Sequence, residues 1–278
     1  MRVAVGQVPL DADDPAGTWE AVTQAVDRAA AAGANLVVLP ETTSTGLLDD
    51  HHEATARAEP VTGPTVSRLR DLAERHRLVL VAGWCETSGL DRPYNSAVVI
   101  DRGALAGRYR KTHLWDTEKL LFTPGSAAPP VINTSVGRLG LTVCYDLEIP
   151  EVCRTLALQG AQIIVAPANW PLLPTPPGER PIEIAKAQAA AAQNRVFVVV
   201  ADRCGTDRGR EWTGRSVVVD VSGYLLARAT PGRPDVACAT LDPAAADDKR
   251  LGPFNDAFAD LRPEYYASPR QDFLEQQH

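Results

Sequence analysis

The sequence predicts an α/β protein in which two mixed sheets pack face to face with helices outside them, a four-layer α-β-β-α sandwich. Three observations predict it. Strand-like and helix-like segments alternate along the chain. The alternation occurs twice, roughly over 1–101 and 136–241, without a residue-level repeat between the halves. The 278 residues, 45% of them hydrophobic, supply a substantial core. No shift in composition marks a linker, so 1–278 reads as one domain, with a polar tail of little periodicity from about 243.

The elements follow in order. Residues 2–8 alternate as a strand, and Asp13-Asp14-Pro15 opens an alanine-rich helix that stops at Gly33. Residues 36–39 form the next strand, a βαβ arrangement that delivers Pro40-Glu41 at the strand's carboxyl end, where α/β sheets keep their sites. Thr62-Gly63-Pro64 begins a second helix to about 77, followed by a strand over 78–84. Segments 94–101 and 104–110 make a hairpin turning at Arg102-Gly103. Residues 111–130 lack periodicity and read as a loop with one helical turn near 117–122; loops of this length in compact domains are usually functional.

Val136, Leu139, Leu141 and Val143 then form a short apolar strand leading into Cys144, and Ile149-Pro150-Glu151 starts a helix to about 160. A strand over 163–166 comes next. Residues 169–181 hold five prolines and must be irregular. A helix over 183–194 and strands over 196–201, 216–221, 225–229 and 236–241 complete the series.

Composition narrows the function. Nothing at the start resembles a signal peptide and no apolar run is long enough to span a bilayer, so a cytoplasmic protein without membrane contact is expected. Cys85, Cys144, Cys153, Cys204 and Cys238 are scattered and show no CxxC spacing, which suits a reducing compartment and neither a disulfide framework nor a metal site. A net charge of −7 disfavours nucleic acid as a partner. No metal or organic cofactor is called for. The chain uses four lysines, at 111, 119, 186 and 249, against twenty-four arginines.

Three side chains stand out by position: Glu41 after one strand, Lys111 after the hairpin and Cys144 after a third strand. Singly each has a plain reading, as a solvated loop acid, a surface cation and a small buried hydrophobe. Together they are drawn to one sheet edge. A cysteine between a strand end and a helix start lies near backbone N–H groups that favour a thiolate and can hold an oxyanion. His113 raises the other possibility of a Cys-His pair.

LVVLPE around Glu41, GRYRKTHLW around Lys111 and GLTVCYDLEIPE around Cys144 resemble, in order and spacing, the signature blocks of the nitrilase superfamily, the carbon-nitrogen hydrolases with a Glu-Lys-Cys triad. The resemblance covers nearly the whole chain and implies the α-β-β-α fold and assembly through dimers, with the tail from about 243 in the oligomer contacts. It also implies Cys144 as nucleophile, Glu41 as proton shuttle, and Lys111 with the Tyr145 N–H as oxyanion hole. Glu118 matches a second glutamate that the superfamily places beside the lysine. Tyr94, Asn95, Trp115, Asn169 and Trp170 flank these blocks and are candidates to line the substrate pocket, although the aromatics read equally as core.

ANWP, GERP, ADRCGTDRG and the blocks from 248 to 266 resemble a branch of bacterial aliphatic amidases that includes 5-aminopentanamidase. The expected substrate is therefore a small, linear aliphatic amide, with or without a terminal amine. An N-carbamoyl amine hydrolase, a nitrilase and an acyltransferase are alternatives within the same chemistry. A noncatalytic scaffold or regulatory protein is the alternative from another class.

Overall fold

A computed structural model describes residues 1–266. The first half contains β1 (Arg2–Gln7), α1 (Pro15–Ala31), β2 (Leu36–Val38), α2 (His51–Arg57), α3 (Pro64–His76), β3 (Val79–Glu86), β4 (Tyr94–Asp101) and β5 (Ala104–Arg110). After the one-turn α4 (Glu118–Leu121), the second contains β6 (Val131–Thr134), β7 (Gly137–Leu141), α5 (Pro150–Leu158), β8 (Ile163–Ala168), α6 (Ile182–Asn194) and β9 (Phe197–Asp202). A short hairpin, β10 (Thr206–Asp207) and β11 (Arg210–Glu211), precedes β12 (Val217–Val219), β13 (Leu225–Arg228) and β14 (Asp235–Thr240).

Two six-stranded sheets result, ordered β14-β1-β2-β3-β4-β5 and β13-β12-β9-β8-β7-β6. The expected four layers are present, and side-chain alternation shows why. Val3, Val5, Leu36, Val38, Val79 and Val81 point from the first sheet into the large core shared with the second. Their neighbours Ala4, Val37, Leu39, Leu80 and Ala82 point the other way, against Val22 and Val26 of α1 and Leu69 and Leu72 of α3. Strands buried on both faces must be apolar throughout, hence the continuous runs in the sequence.

Four features depart from the sequence reading. The second half does not close on itself, because β14 crosses to the first sheet and pairs antiparallel with β1. Residues 131–134, unassigned in sequence, form β6 against β7; four residues after Pro129-Pro130 are too few to show a period. Helix α2 carries little apolar periodicity and is fixed locally, by the Asp50 side chain accepting the Glu53 N–H. The strand leading to Cys144 ends at Leu141, and a 3-10 turn over Cys144–Glu148 comes before α5. Of the expected tail, 243–266 contains two short 3-10 turns; the rest of that tail, and of the domain 1–278, lies outside the described residues. Among the described residues no helix is long and apolar enough to cross a membrane.

Candidate active site

Topology gathers the site. β1, β2 and β3 run parallel, as do β7, β8 and β9. β4 is antiparallel to β3, and β5 to β4, so β5 ends at the same edge as β3. Glu41 follows β2, Lys111 follows β5, and Cys144 and Asn169 follow β7 and β8. The Glu41 N–H reaches the Ala168 carbonyl at 3.4 Å, joining the two sheet edges.

Glycine permits the approach around Glu41. A Cβ on Gly83 would stand 2.6 Å from the Thr42 nitrogen and 2.7 Å from the Glu41 Cα, so the segment carrying Glu41 lies directly on β3. Cys144 has φ 47°, an unusual backbone conformation for a side chain with a Cβ. Asp146 holds that turn: its carboxylate accepts the Val143 N–H at 3.1 Å and, from the loop after β5, the His113 N–H at 3.1 Å and ring Nδ1 at 2.7 Å. The hydrogen bond with Asp146 also raises the His113 pKa. His113 is thus committed to fixing the turn and does not line the cavity beside Cys144.

Lys111 is sealed from solvent and surrounded by carboxylates. Its Nζ donates to Glu41 Oε1 at 2.7 Å and to the two oxygens of Glu118 at 2.8 and 2.6 Å. Burial works against its charge, yet the Glu118 and Glu41 carboxylates prevail and lift its pKa well above the ordinary lysine value. Lys111 stays an ammonium. Burial pushes the Glu118 carboxyl up to about 7, with the Lys111 ammonium opposing. Glu118 is placed by α4, and its Oε2 accepts the Trp115 N–H at 2.7 Å. Asn95 binds two acids through one nitrogen, Glu41 Oε1 at 2.7 Å and Glu118 Oε1 at 2.9 Å.

Burial, reinforced by the Glu41 carboxylate, drives the Cys144 thiol well above its usual range, and neither the Lys111 ammonium nor the Asn169 N–H offsets it. This corrects the expectation of a resting thiolate. The cysteine waits as a thiol under the electrostatic influence of the Glu41 and Glu118 carboxylates.

Glu41, Lys111, Glu118 and Cys144 meet at a cavity of about 430 Å³. Trp115 and Asn169 line it as expected, and Asn169 Nδ2 donates to Thr42 Oγ1 at 2.9 Å. The other pocket candidates lie elsewhere. Trp170 is buried in the main core, with its backbone N–H donating to Asp202 at 2.8 Å. Tyr94 lies under the Arg110 guanidinium, 4.1 Å from ring centroid to carbon, and outside the lining. Asn95 acts behind the cavity wall, and the Tyr145 side chain is not part of that wall. The lining missed in the sequence comprises Leu47 and Leu48, Leu121 and Phe122, and Arg210 and Trp212. Leu121 and Phe122 close the expected helical turn; segment 46–51 carries no periodic signal, and the hairpin bearing Arg210 is two residues per strand.

The chain is similar to known proteins over most of its length. The carbon-nitrogen hydrolase family profile matches residues 2–250. A nitrilase from Pyrococcus abyssi is 35% identical over 268 residues, 96% of this chain and 99% of its own. An (R)-stereoselective amidase from Pseudomonas sp is 36% identical over 203 residues, 73% of this chain and 70% of its own. A mutant amidase from Nesterenkonia sp. AN1, with the acetamide moiety of fluoroacetamide added covalently at its active-site cysteine, superposes with a TM-score of 0.80 at 28% identity. That match covers 95% of this chain and 94% of the amidase.

Proposed function

The chain belongs to the carbon-nitrogen hydrolase family, the nitrilase superfamily, and from that membership we propose that it hydrolyses a small aliphatic carboxamide to carboxylate and ammonia through a thioester on Cys144. The observation that carries the reading is the convergence of a buried thiol, a buried ammonium and two carboxylates in the lining of a single cavity.

Glu41 takes the Cys144 thiol proton as sulfur attacks the amide carbon, so that no free thiolate has to persist in a buried site. The carbonyl oxygen becomes negative and faces the Lys111 ammonium and the Tyr145 N–H, charge that is in place before the reaction begins. Glu41 returns its proton to the leaving nitrogen, and ammonia departs from the thioester. It then accepts a proton from water as water attacks the thioester, and that proton restores the Cys144 thiol as the acid is released. Glu118 and Asn95 act as positioning residues: they fix the ammonium and the Glu41 carboxylate relative to each other.

Ammonia release from a series of aliphatic amides, with matching nitriles and N-carbamoyl amines alongside, tests this reading. Amides are expected to give the highest kcat/KM. Cys144→Ala is expected to abolish turnover, and alkylation accompanying inactivation is expected to map to Cys144 and not to the other four cysteines. Faster turnover of nitriles, the compounds named for the Pyrococcus abyssi relative, would overturn the choice of amide. We also propose a cytoplasmic homodimer, supported by five free thiols and by exposed Leu251, Phe254, Tyr265 and Tyr266 after residue 243; a monomeric mass by light scattering would overturn the dimer.

A further inference from the structure

The cavity is larger than a short amide requires. Its 430 Å³ falls among sites that enclose whole metabolite-sized ligands. The same lining includes the apolar side chains of Leu47, Leu48, Leu121 and Phe122 and the charged ones of Asp49, Asp50 and Arg210. These three charges are not equivalent. Asp49 is paired with Arg208 at 3.0 Å. Asp50 caps α2 through the Glu53 N–H at 2.9 Å. Arg208 also binds Asp13 and Glu53, at 2.6 and 2.7 Å, so Asp49 belongs to an ion-pair network, whereas Asp50 is committed only through its helix cap.

Arg210 is different. Among the described residues its side chain makes no ion pair and no hydrogen bond, and it is exposed on β11. The acid facing it across the hairpin, Asp207, is committed to Arg203 at 2.6 Å and to the Leu47 N–H at 2.7 Å. The cavity lining therefore holds one uncommitted guanidinium together with apolar side chains and the reacting thiol.

We propose that the substrate is a half-amide: an aliphatic chain with the scissile amide at one end and a carboxylate at the other, the carboxylate being received by Arg210. The inference rests on the amide-hydrolysis reading above. A guanidinium grips a carboxylate through two parallel N–H···O bonds, the apolar wall suits the methylenes between, and an ammonium tail would meet like charge. The half-amide thus has one part for each kind of group in the lining: the thiol and ammonium, the apolar side chains and the guanidinium.

The test measures kcat/KM of the full-length protein for amides of four to six carbons ending in carboxylate, ammonium or methyl, such as glutaramate, 5-aminopentanamide and pentanamide. The wild type is expected to favour the carboxylate over the ammonium tail by about tenfold or more, with the preference shrinking as salt screens the open mouth. Arg210→Gln should bring the ratio towards one and Arg210→Glu should reverse it. Each ratio is taken within one variant, so partial loss of folded protein cancels. Equal or better cleavage of ammonium tails by the wild type, or an unchanged ratio in Arg210→Glu, would overturn the proposal while turnover of pentanamide keeps amide hydrolysis intact. Failure to release ammonia from every amide would instead remove the reading on which the proposal stands.

Discussion

Asn95 donates through Nδ2 to Glu41 Oε1 at 2.7 Å, and the same nitrogen reaches Glu118 Oε1 at 2.9 Å. Two buried acids that would repel each other are thereby held on either side of a single ammonium. Asn95→Leu keeps the volume and removes both donors. Expected is a fall in kcat of about 10 to 100-fold with a smaller change in KM, measured by ammonia release, because the geometry of Glu41 and Lys111 is disturbed and the substrate wall is not. Asn95→Asp, which adds a third acid, is expected to be worse.

Lys111 serves as a charge of fixed shape. Its three short contacts to Glu41 and Glu118 leave no room for a planar guanidinium, so Lys111→Arg is expected to lose about 100 to 1000-fold in kcat, as Lys111→Ala does. Lys111→Met should also unfold at lower urea concentration, since it leaves buried carboxylates without their counter-ion, a cost of about 3–5 kcal/mol.

Gly83 and Gly252 form a matched pair of tests. Alanine at 83 would bring a Cβ to 2.6 Å from the Thr42 backbone nitrogen, whereas alanine at 252 meets nothing within 4 Å. Gly83→Ala is expected to push Glu41 out of register and lower kcat by more than tenfold; Gly252→Ala should leave kcat unchanged.

Asp202 supplies a pH dependence of stability. Burial raises its carboxyl from 3.8 to about 7, against hydrogen bonds from Thr213 and from the Trp170 and Arg215 N–H groups. Between these values the folded protein binds a proton that the unfolded chain has released, so this group's contribution is present below about pH 4 and is lost as pH rises to about 7. Urea denaturation at half-unit steps from pH 4 to 8 should show a component that declines to pH 7 and is then flat. In Asp202→Asn the slope should shrink to the part left by Glu118, whose carboxyl is also raised to about 7, whatever the overall stability of the variant.

The sequence by itself determined the layered α/β fold, because strands buried on both faces need unbroken apolar runs and helices facing solvent on one side need a mixed pattern. It also placed Glu41, Lys111 and Cys144 after strands, and the order and spacing of their blocks tied them to one family. Contacts between distant segments were decided only in three dimensions. β14 leaves its own half to pair with β1, a choice set by edge hydrogen bonding that no local period encodes. Trp170 went to the core while its neighbour Asn169 went to the cavity, since adjacent residues at a strand end point to opposite sides. The resting state of Cys144 was likewise hidden: the backbone N–H groups that suggested a thiolate are outweighed by burial and by Glu41, and the balance of burial against charge exists only once the chain has folded around the thiol.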